Sequence, residues 1–185
     1  GIYAIPCGES SPIVIKEKTT VHNITTLEGR NCKAFSLSSP IEESEQWIMI
    51  GLRASYEYLP LSHYQTAGKA YEILHWDRNS RFCSACGTPM EQKESIMKRC
   101  PKCDREVYPS ISTAILVLVR KKNSLLLVHA RNFKGTFNSL VAGFLETGET
   151  LEECVAREVK EETGLDVKNI TYFGNQPWPY PSGLM

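Results

Sequence analysis

Residues 143–165 read GFLETGETLEECVAREVKEETGL, and the spacing of their glycines, carboxylates and arginine decides how the remainder of the chain is read. The order is Gly143, Glu149, Arg157-Glu158-Val159, Glu161-Glu162 and Gly164-Leu165. Thr150 followed three positions later by Glu153 is a capping box, so a helix is expected to start at Leu151, with Gly164 as its stop. Leu151, Val155 and Val159 recur at i, i+4 and predict an apolar face. Glu158, Glu161 and Glu162 are expected on the opposite side. Like charges at that spacing each cost about 0.2–0.5 kcal/mol, and the last turns of a helix disfavour anions. A solvated acidic face is the ordinary reading of a charge run. Carboxylates gathered against their own repulsion instead predict a divalent-cation site, for Mg²⁺ or Mn²⁺. Arg157 is expected either to reach back to Glu149 and fix the loop, or to pair on the surface with Glu153.

The chain has 185 residues, 42% of them hydrophobic and 23% charged, with net charge +0. That composition predicts one or two small soluble globular domains. It gives no electrostatic reason to bind nucleic acid or an anionic membrane. No apolar run has transmembrane length, and no basic segment with an apolar core opens the sequence, so neither an anchor nor a signal peptide is expected.

Residues 1–80 read as a mixed domain, with strands expected at 13–15, 33–37 and 47–50. A helix is expected after Ser62, with Ala67, Ala70, Tyr71 and Leu74 as its apolar positions. His22, His63, His75 and His129 have no ligand-spaced partners and read as ordinary histidines. Arg53 has a surface role by default.

Residues 81–108 hold Cys83-Ser-Ala-Cys86 and Cys100-Pro-Lys-Cys103. Two such pairs predict a zinc ribbon: each presents two thiolates, and four close a tetrahedron around a structural Zn²⁺. In so small a module the metal supplies most of the folding energy. Two disulfides are the alternative, disfavoured without an export signal. Cys7, Cys32 and Cys154 fall outside this spacing.

From residue 109 onward, the run at 111–119 reads as a buried strand. A turn at 121–124 returns into a strand at 125–128, and residues 131–138 form a polar loop. Residues 140–142 lead into the carboxylate segment, and 170–173 read as a further strand. The chain then reaches NQPWPYPSGLM, whose alternating prolines predict an extended, poorly paired segment displaying Trp178 and Tyr180. It reads as a blunted edge strand or an aromatic wall for a planar ligand.

The segment 143–165 fills the signature of the Nudix hydrolases. A Cys₄ ribbon, Tyr108-Pro109, that signature and QPWPYP together resemble the bacterial NADH pyrophosphatases, whose members also act on NAD-capped RNA. The likeness is strong over residues 65–185 and weak over 1–60. The subfamily marker SQPWPFPxS is altered here at Asn175, Tyr180 and Gly183. The resemblance implies an α+β protein with an N-terminal mixed domain (1–80), a zinc ribbon (81–108) and an α/β/α Nudix domain (109–185). It implies hydrolysis of NADH or NAD to nicotinamide mononucleotide and AMP. Glu158, Glu162 and the Ala142 carbonyl would hold Mg²⁺ or Mn²⁺, and Glu161 would complete a catalytic cluster with Arg157 and Glu149. Gln176, Pro177, Trp178, Pro179, Tyr180, Pro181, Ser182 and Gly183 would line the dinucleotide site. Tyr108 and Phe144 would stack on nicotinamide, and Arg53 would touch phosphate.

The subfamily is dimeric, so the resemblance implies a homodimer, and a cytoplasmic location is expected. The Nudix segment is shorter than that family's complete fold, so the chain reads as C-terminally truncated and short of part of its site. Two other readings stay open: a Nudix enzyme for another substrate such as ADP-ribose, and a non-catalytic zinc-ribbon module binding nucleic acid.

Overall fold

The computed structural model describes residues 20–40, 43, 48–129 and 135–185. The expected strand at 13–15, residue 47 of the strand at 47–50, and the first residues of the loop at 131–138 lie outside these. The chain divides into two compact units, Gly1–Ser110 with Pro179–Ser182, and Ile111–Trp178 with Gly183–Met185.

The first unit begins with a hairpin of β1 (His22–Leu27) and β2 (Arg30–Ala34). Glu28 and Gly29 both adopt left-handed φ, 50° and 76°, the geometry a two-residue hairpin turn needs. That turn fixes the register, with Leu27 opposite Arg30 and His22 opposite Ala34. The strand expected at 33–37 therefore begins earlier and stops at Ala34. Residues 48–50 form no strand either, because the Met49 N–H is taken by the Glu43 carboxylate at 2.9 Å.

A 3₁₀ turn (Ala54–Glu57) precedes α1 (Leu61–Asn79). Pro60, not Ser62, sits at the helix N-cap, and Ser62 lies inside the first turn. Buried positions of α1 are Gly68, Ile73 and Trp76, while Ala70 and Leu74 pack at the margin of the core. The expectation of one stripe through Ala67 and Tyr71 fails because two faces of the helix are covered. Ile73 and Trp76 pack on Ile24 and Ala34 of the hairpin. Gly68 faces Pro179. A glycine inside a helix costs about 1 kcal/mol relative to alanine, so close packing at 68 offsets a local penalty.

The ribbon contributes β3 (Glu91–Glu94), β4 (Met97–Arg99) and β5 (Glu106–Val107), antiparallel in that order. Lys98 of β4 is buried, with Nζ 2.6 Å from Asp77 Oδ1 and 5.2 Å from the centre of the Trp76 ring. It also donates to the Asp77 carbonyl at 2.9 Å. Asp77 lies 3.4 Å from His22 Nε2 as well. This cluster joins β1, α1 and β4, and removing Asp77 would strand the buried Lys98 ammonium.

The second unit holds β6 (Ser112–Val117), the short hairpin β7 (Arg120–Lys121) and β8 (Ser124–Leu125), β9 (Val141–Phe144), α2 (Leu151–Thr163), β10 (Pro177–Trp178) and β11 (Gly183–Leu184). The sheet order is β10-β11-β6-β9, parallel between β11 and β6 and antiparallel elsewhere. Val141, Val159 and Cys154 are its most deeply buried side chains.

Several expectations change here. In β6 Ile115 is buried, but Leu116 stays 48% exposed; among the described residues α2 covers one face of the sheet, whereas an all-apolar strand suits two. The strand at 125–128 reduces to β8 and a single bridge from Val128 to Ser139. Residues 170–173 form no strand: Asn169 turns the chain at φ 57°, and Phe173 is fully exposed. The proline-rich segment is paired, since Gln176 and Met185, which keep their N–H groups, exchange hydrogen bonds of 2.7 and 3.0 Å.

Candidate functional site

α2 starts as its sequence dictates. The Thr150 hydroxyl accepts from the Glu153 N–H at 3.2 Å, and the Glu153 carboxylate accepts from the Thr150 N–H at 2.8 Å. Glu153 is thus occupied by the cap and leaves Arg157 to other partners. Gly164 closes the helix at φ 73°, donating to the Lys160 carbonyl.

The helix meets the sheet through Cys154 and Val159, with Val155 half-buried and Leu151 40% exposed, a shift of the predicted apolar face. Glu158 follows Cys154 by one turn and therefore borders the buried face instead of lying opposite it. Its side chain is 14% exposed. The carboxyl rests against Gly143 of β9, where any Cβ would overlap it. Glycine at 143 is what lets an acidic group sit on the sheet.

Arg157 organises this corner. Nε and Nη2 grip the Glu149 carboxylate at 2.5 and 3.0 Å. Nη1 donates to Glu158 at 2.9 Å and to Glu161 at 3.3 Å, and Nη2 donates to the Phe144 carbonyl at 3.0 Å. Glu149 also accepts the Glu146 N–H at 3.0 Å. The guanidinium, then that N–H, hold the Glu149 carboxyl down at about 2. Glu162 differs: desolvation, then the Glu158 charge, push its carboxyl above the ordinary value. Of these carboxylates, Glu158 is the one seated on β9, at Gly143 next to Ala142. Hard carboxylate oxygen is the donor type that suits Mg²⁺ or Mn²⁺, although among the described residues the four cysteines are the one group that stands gathered at ligand spacing.

The ribbon offers the opposite chemistry. The ligand atoms of Cys83, Cys86, Cys100 and Cys103 lie within 4.8 Å of one another. Sγ separations are 3.6 Å for Cys83–Cys103, 3.5 Å for Cys86–Cys100 and 3.6 Å for Cys86–Cys103. Four thiolates at about 2.3 Å from Zn²⁺ stand about 3.8 Å apart, so the cluster fits zinc. Each pair is a knuckle closed by a left-handed residue. Gly87 (φ 72°) donates to the Cys83 carbonyl at 2.8 Å, and Asp104 (φ 58°) to the Cys100 carbonyl at 3.0 Å. The Thr88 hydroxyl and backbone pull the Cys86 thiol down to about 6, well into the range where thiolate forms.

The remaining predicted residues are distributed over both units. In the first unit Arg53 precedes the 3₁₀ turn, and Tyr108, 50% exposed, donates to Glu106 at 2.9 Å. In the second unit Phe144 is 64% exposed on β9, and Gln176, Pro177, Trp178 and Gly183 belong to the β10–β11 hairpin. The turn between those strands belongs to the first unit: Pro179 is buried, Pro181 exposed, Tyr180 bonds Tyr64 and Ser182 Oγ donates to the Ser110 carbonyl at 2.8 Å. Tyr64, Gly68 and Cys154 are not among the sequence candidates, and the seat that Gly143, a motif position, gives Glu158 is not legible there; a glycine interrupting a helical pattern is the one local signal for Gly68.

Comparison with known proteins gives three family matches along the chain. Residues 1–76 match the family described as NADH pyrophosphatase-like rudimentary NUDIX domain, residues 78–108 the NADH pyrophosphatase zinc ribbon domain, and residues 109–184 the NUDIX domain. Among curated relatives, the NAD-capped RNA hydrolase NudC of Vibrio atlanticus is 44% identical over 74% of this chain and 51% of its own length. The protein of the same name from Chromobacterium violaceum is 40% identical over 77% and 54%, and that of Pseudomonas aeruginosa 36% over 89% and 59%. A crystal structure of a NUDIX hydrolase from Nitrosomonas europaea has TM-score 0.47 and 26% identity, covering 56% of this chain and 62% of that one. A zinc ribbon joined to a Nudix domain defines the class. The chain belongs to the Nudix hydrolases, in the NADH pyrophosphatase-like subfamily, with Mg²⁺ or Mn²⁺ and structural Zn²⁺ as its metals. It spans about half the length of the curated relatives it matches.

Proposed function

We propose that the protein hydrolyses the pyrophosphate of NADH or NAD, as a free dinucleotide and as an RNA 5′ cap, releasing the nicotinamide mononucleotide and, from the free dinucleotide, AMP. The observation that supports this most is the carboxylate corner, in which Arg157 fixes Glu149 and Glu158 while Glu162 is left electrostatically unsatisfied. In this reading Glu158, Glu162 and the Ala142 carbonyl hold the cations, with Glu161 beside them. Mg²⁺ or Mn²⁺ supplies charge neutralisation of the pyrophosphate and a water of lowered pKa. Arg157 and Glu149 keep the ligand carboxylates at fixed separation, so little reorganisation is needed during the reaction. The water oxygen bonds to phosphorus while its proton passes to a carboxylate of the cluster or to solvent, the bridging P–O bond breaks, and the leaving phosphate departs as an anion.

Gln176, Pro177, Trp178, Pro179, Tyr180, Pro181, Ser182 and Gly183 form the dinucleotide-binding segment, and Tyr108 and Phe144 offer exposed rings for stacking. Arg53 contributes a phosphate contact. Residues 1–80, 81–108 and 109–185 act as three domains. The protein works as a cytoplasmic homodimer; among the described residues no helix is long and apolar enough to cross a membrane.

The test is incubation with Mn²⁺ or Mg²⁺ and NADH, separating products by chromatography. Reduced nicotinamide mononucleotide with AMP is expected, and NAD-capped RNA then gives the relative rate. Cleavage of ADP-ribose with NADH left intact would replace the substrate. Cleavage of neither, with salt-sensitive nucleic-acid binding, would replace the enzyme by a binding module.

A further inference from the structure

We infer that Tyr64 and Gly68 of α1 are positioning residues for the dinucleotide-binding segment, holding its Pro179–Ser182 turn in the conformation that receives substrate. The inference rests on the functional reading above. The two residues stand one helical turn apart on one face of α1. Tyr64 Oη lies 2.5 Å from Tyr180 Oη. A Cβ at Gly68 would stand 3.0 Å from Pro179 Cγ, so the bare backbone accepts the buried proline ring.

Each end of this contact is itself held. The Tyr64 ring is clamped edge-on by Tyr56, with centroids 5.1 Å apart and planes at 78°. On the far side of the turn Ser182 Oγ donates to the Ser110 carbonyl. Burial, then the bond to Tyr64, push the Tyr180 phenol above its ordinary range, so its hydroxyl stays protonated at neutral pH. The stripe of α1 that builds the core, through Ile73 and Trp76, is a different one. A helix that served as a cover for the β1–β2 hairpin alone would have no use for a glycine at 68 or a hydroxyl at 64. The phenol pair buries no additional apolar surface; it fixes the rotation of Tyr180 and the height of Pro179 above the helix.

Tyr64→Phe keeps the ring and removes the one hydroxyl. The expected result is a KM for NADH raised about 2- to 10-fold, the loss of one hydrogen bond's worth of ordering, with kcat within twofold of the parent. The melting temperature should stay within about 2 °C. Backbone amides of residues 176–184 should exchange with deuterium faster, while those of β1 and β2 keep their rates. Tyr180→Phe should speed exchange of the same amides, and in that measurement the double variant should be no faster than either single change, because each breaks the Tyr64–Tyr180 bond. Gly68→Leu, driving a side chain at Pro179, should raise KM further.

Unchanged exchange at 176–184 in Tyr64→Phe, or additive effects in the double variant, would overturn the inference. Parent protein that hydrolyses NADH with a KM unaltered by Tyr64→Phe would overturn it too. Parent protein that does not hydrolyse NADH defeats the substrate assignment instead, and the exchange rates still decide whether Tyr64 holds the segment.

Discussion

The cysteine ribbon gathers four thiols and the carboxylate helix gathers the acidic side chains proposed to hold Mg²⁺ or Mn²⁺, but different parts of the chain do the gathering. In the ribbon each pair of ligands is placed by its own four residues and one left-handed residue after it, Gly87 or Asp104. In the helix the ligands are placed by the tertiary fold. Gly143 on β9 gives Glu158 its seat, and Arg157 reaches the loop to seize Glu149. The soft, neutralisable thiols need little support before the metal arrives. Carboxylates repel one another at any neutral pH and need a resident cation, the guanidinium, to hold them together.

The largest effect expected from this contrast is on the ribbon. Structural zinc in small modules is bound with about 10–16 kcal/mol of apparent free energy. Cys100→Ser should therefore abolish stoichiometric zinc by elemental analysis and unfold the β3–β5 sheet. Its hydrogen-exchange protection should vanish while that of α2 persists. Loss of protection in α2 as well would mean that the two sites are not independently built.

Next in size is the carboxylate helix. Glu162→Gln removes a ligand but no structural bond, so turnover should fall at least ~100-fold, the scale of losing one stabilising electrostatic contact, with an unchanged melting temperature. Measured kcat against Mn²⁺ concentration checks it, and a variant with parental turnover would refute the assignment of Glu162. Gly143→Ala tests placement without replacing a proposed ligand. The methyl would displace the Glu158 carboxyl, which also costs its bond to Arg157, so the expected outcome is a raised Mn²⁺ requirement together with destabilisation of about 1–3 kcal/mol. A parental denaturation midpoint would mean that the carboxyl has another seat.

The same contrast explains what could be read from the sequence. The cysteine spacing, the capping box at Thr150 and the stop at Gly164 are local rules, and the structure follows them. The bond between Arg157 and Glu149 was one of two arithmetically possible pairs; the capping box decided it by occupying Glu153. The misplaced features depend on partners distant in sequence. Glu158 reads as solvent-facing until β9 brings Gly143 beneath it. Tyr71 reads as core-facing on α1 when the helix is given a single apolar stripe, while Gly68 is buried by a turn more than a hundred residues away. Residues 170–173 have the composition of a strand, but composition does not supply a neighbouring ladder. The prolines at 177, 179 and 181 suggested an unpaired edge, yet Gln176 and Met185 kept the N–H groups that pair it.

The smallest effect separates the guanidinium clamp from the metal. Glu149 has its carboxyl lowered from the ordinary 4.5 to about 2, first by Arg157 and then by the Glu146 N–H. A carboxyl depressed on folding contributes stability that is fully present above its unfolded value. That contribution is lost as pH falls through the folded one. The window is therefore pH 4.5 down to 2. Melting temperatures of the parent and of Glu149→Gln, each followed across that range in metal-free buffer, isolate the term, because acid release of zinc affects both proteins alike. The parent should be the more stable above pH 4.5, and the difference should close as pH approaches 2. Parallel curves would show that Arg157 gains nothing from the Glu149 charge, and that the loop is held by the Phe144 carbonyl and the backbone alone.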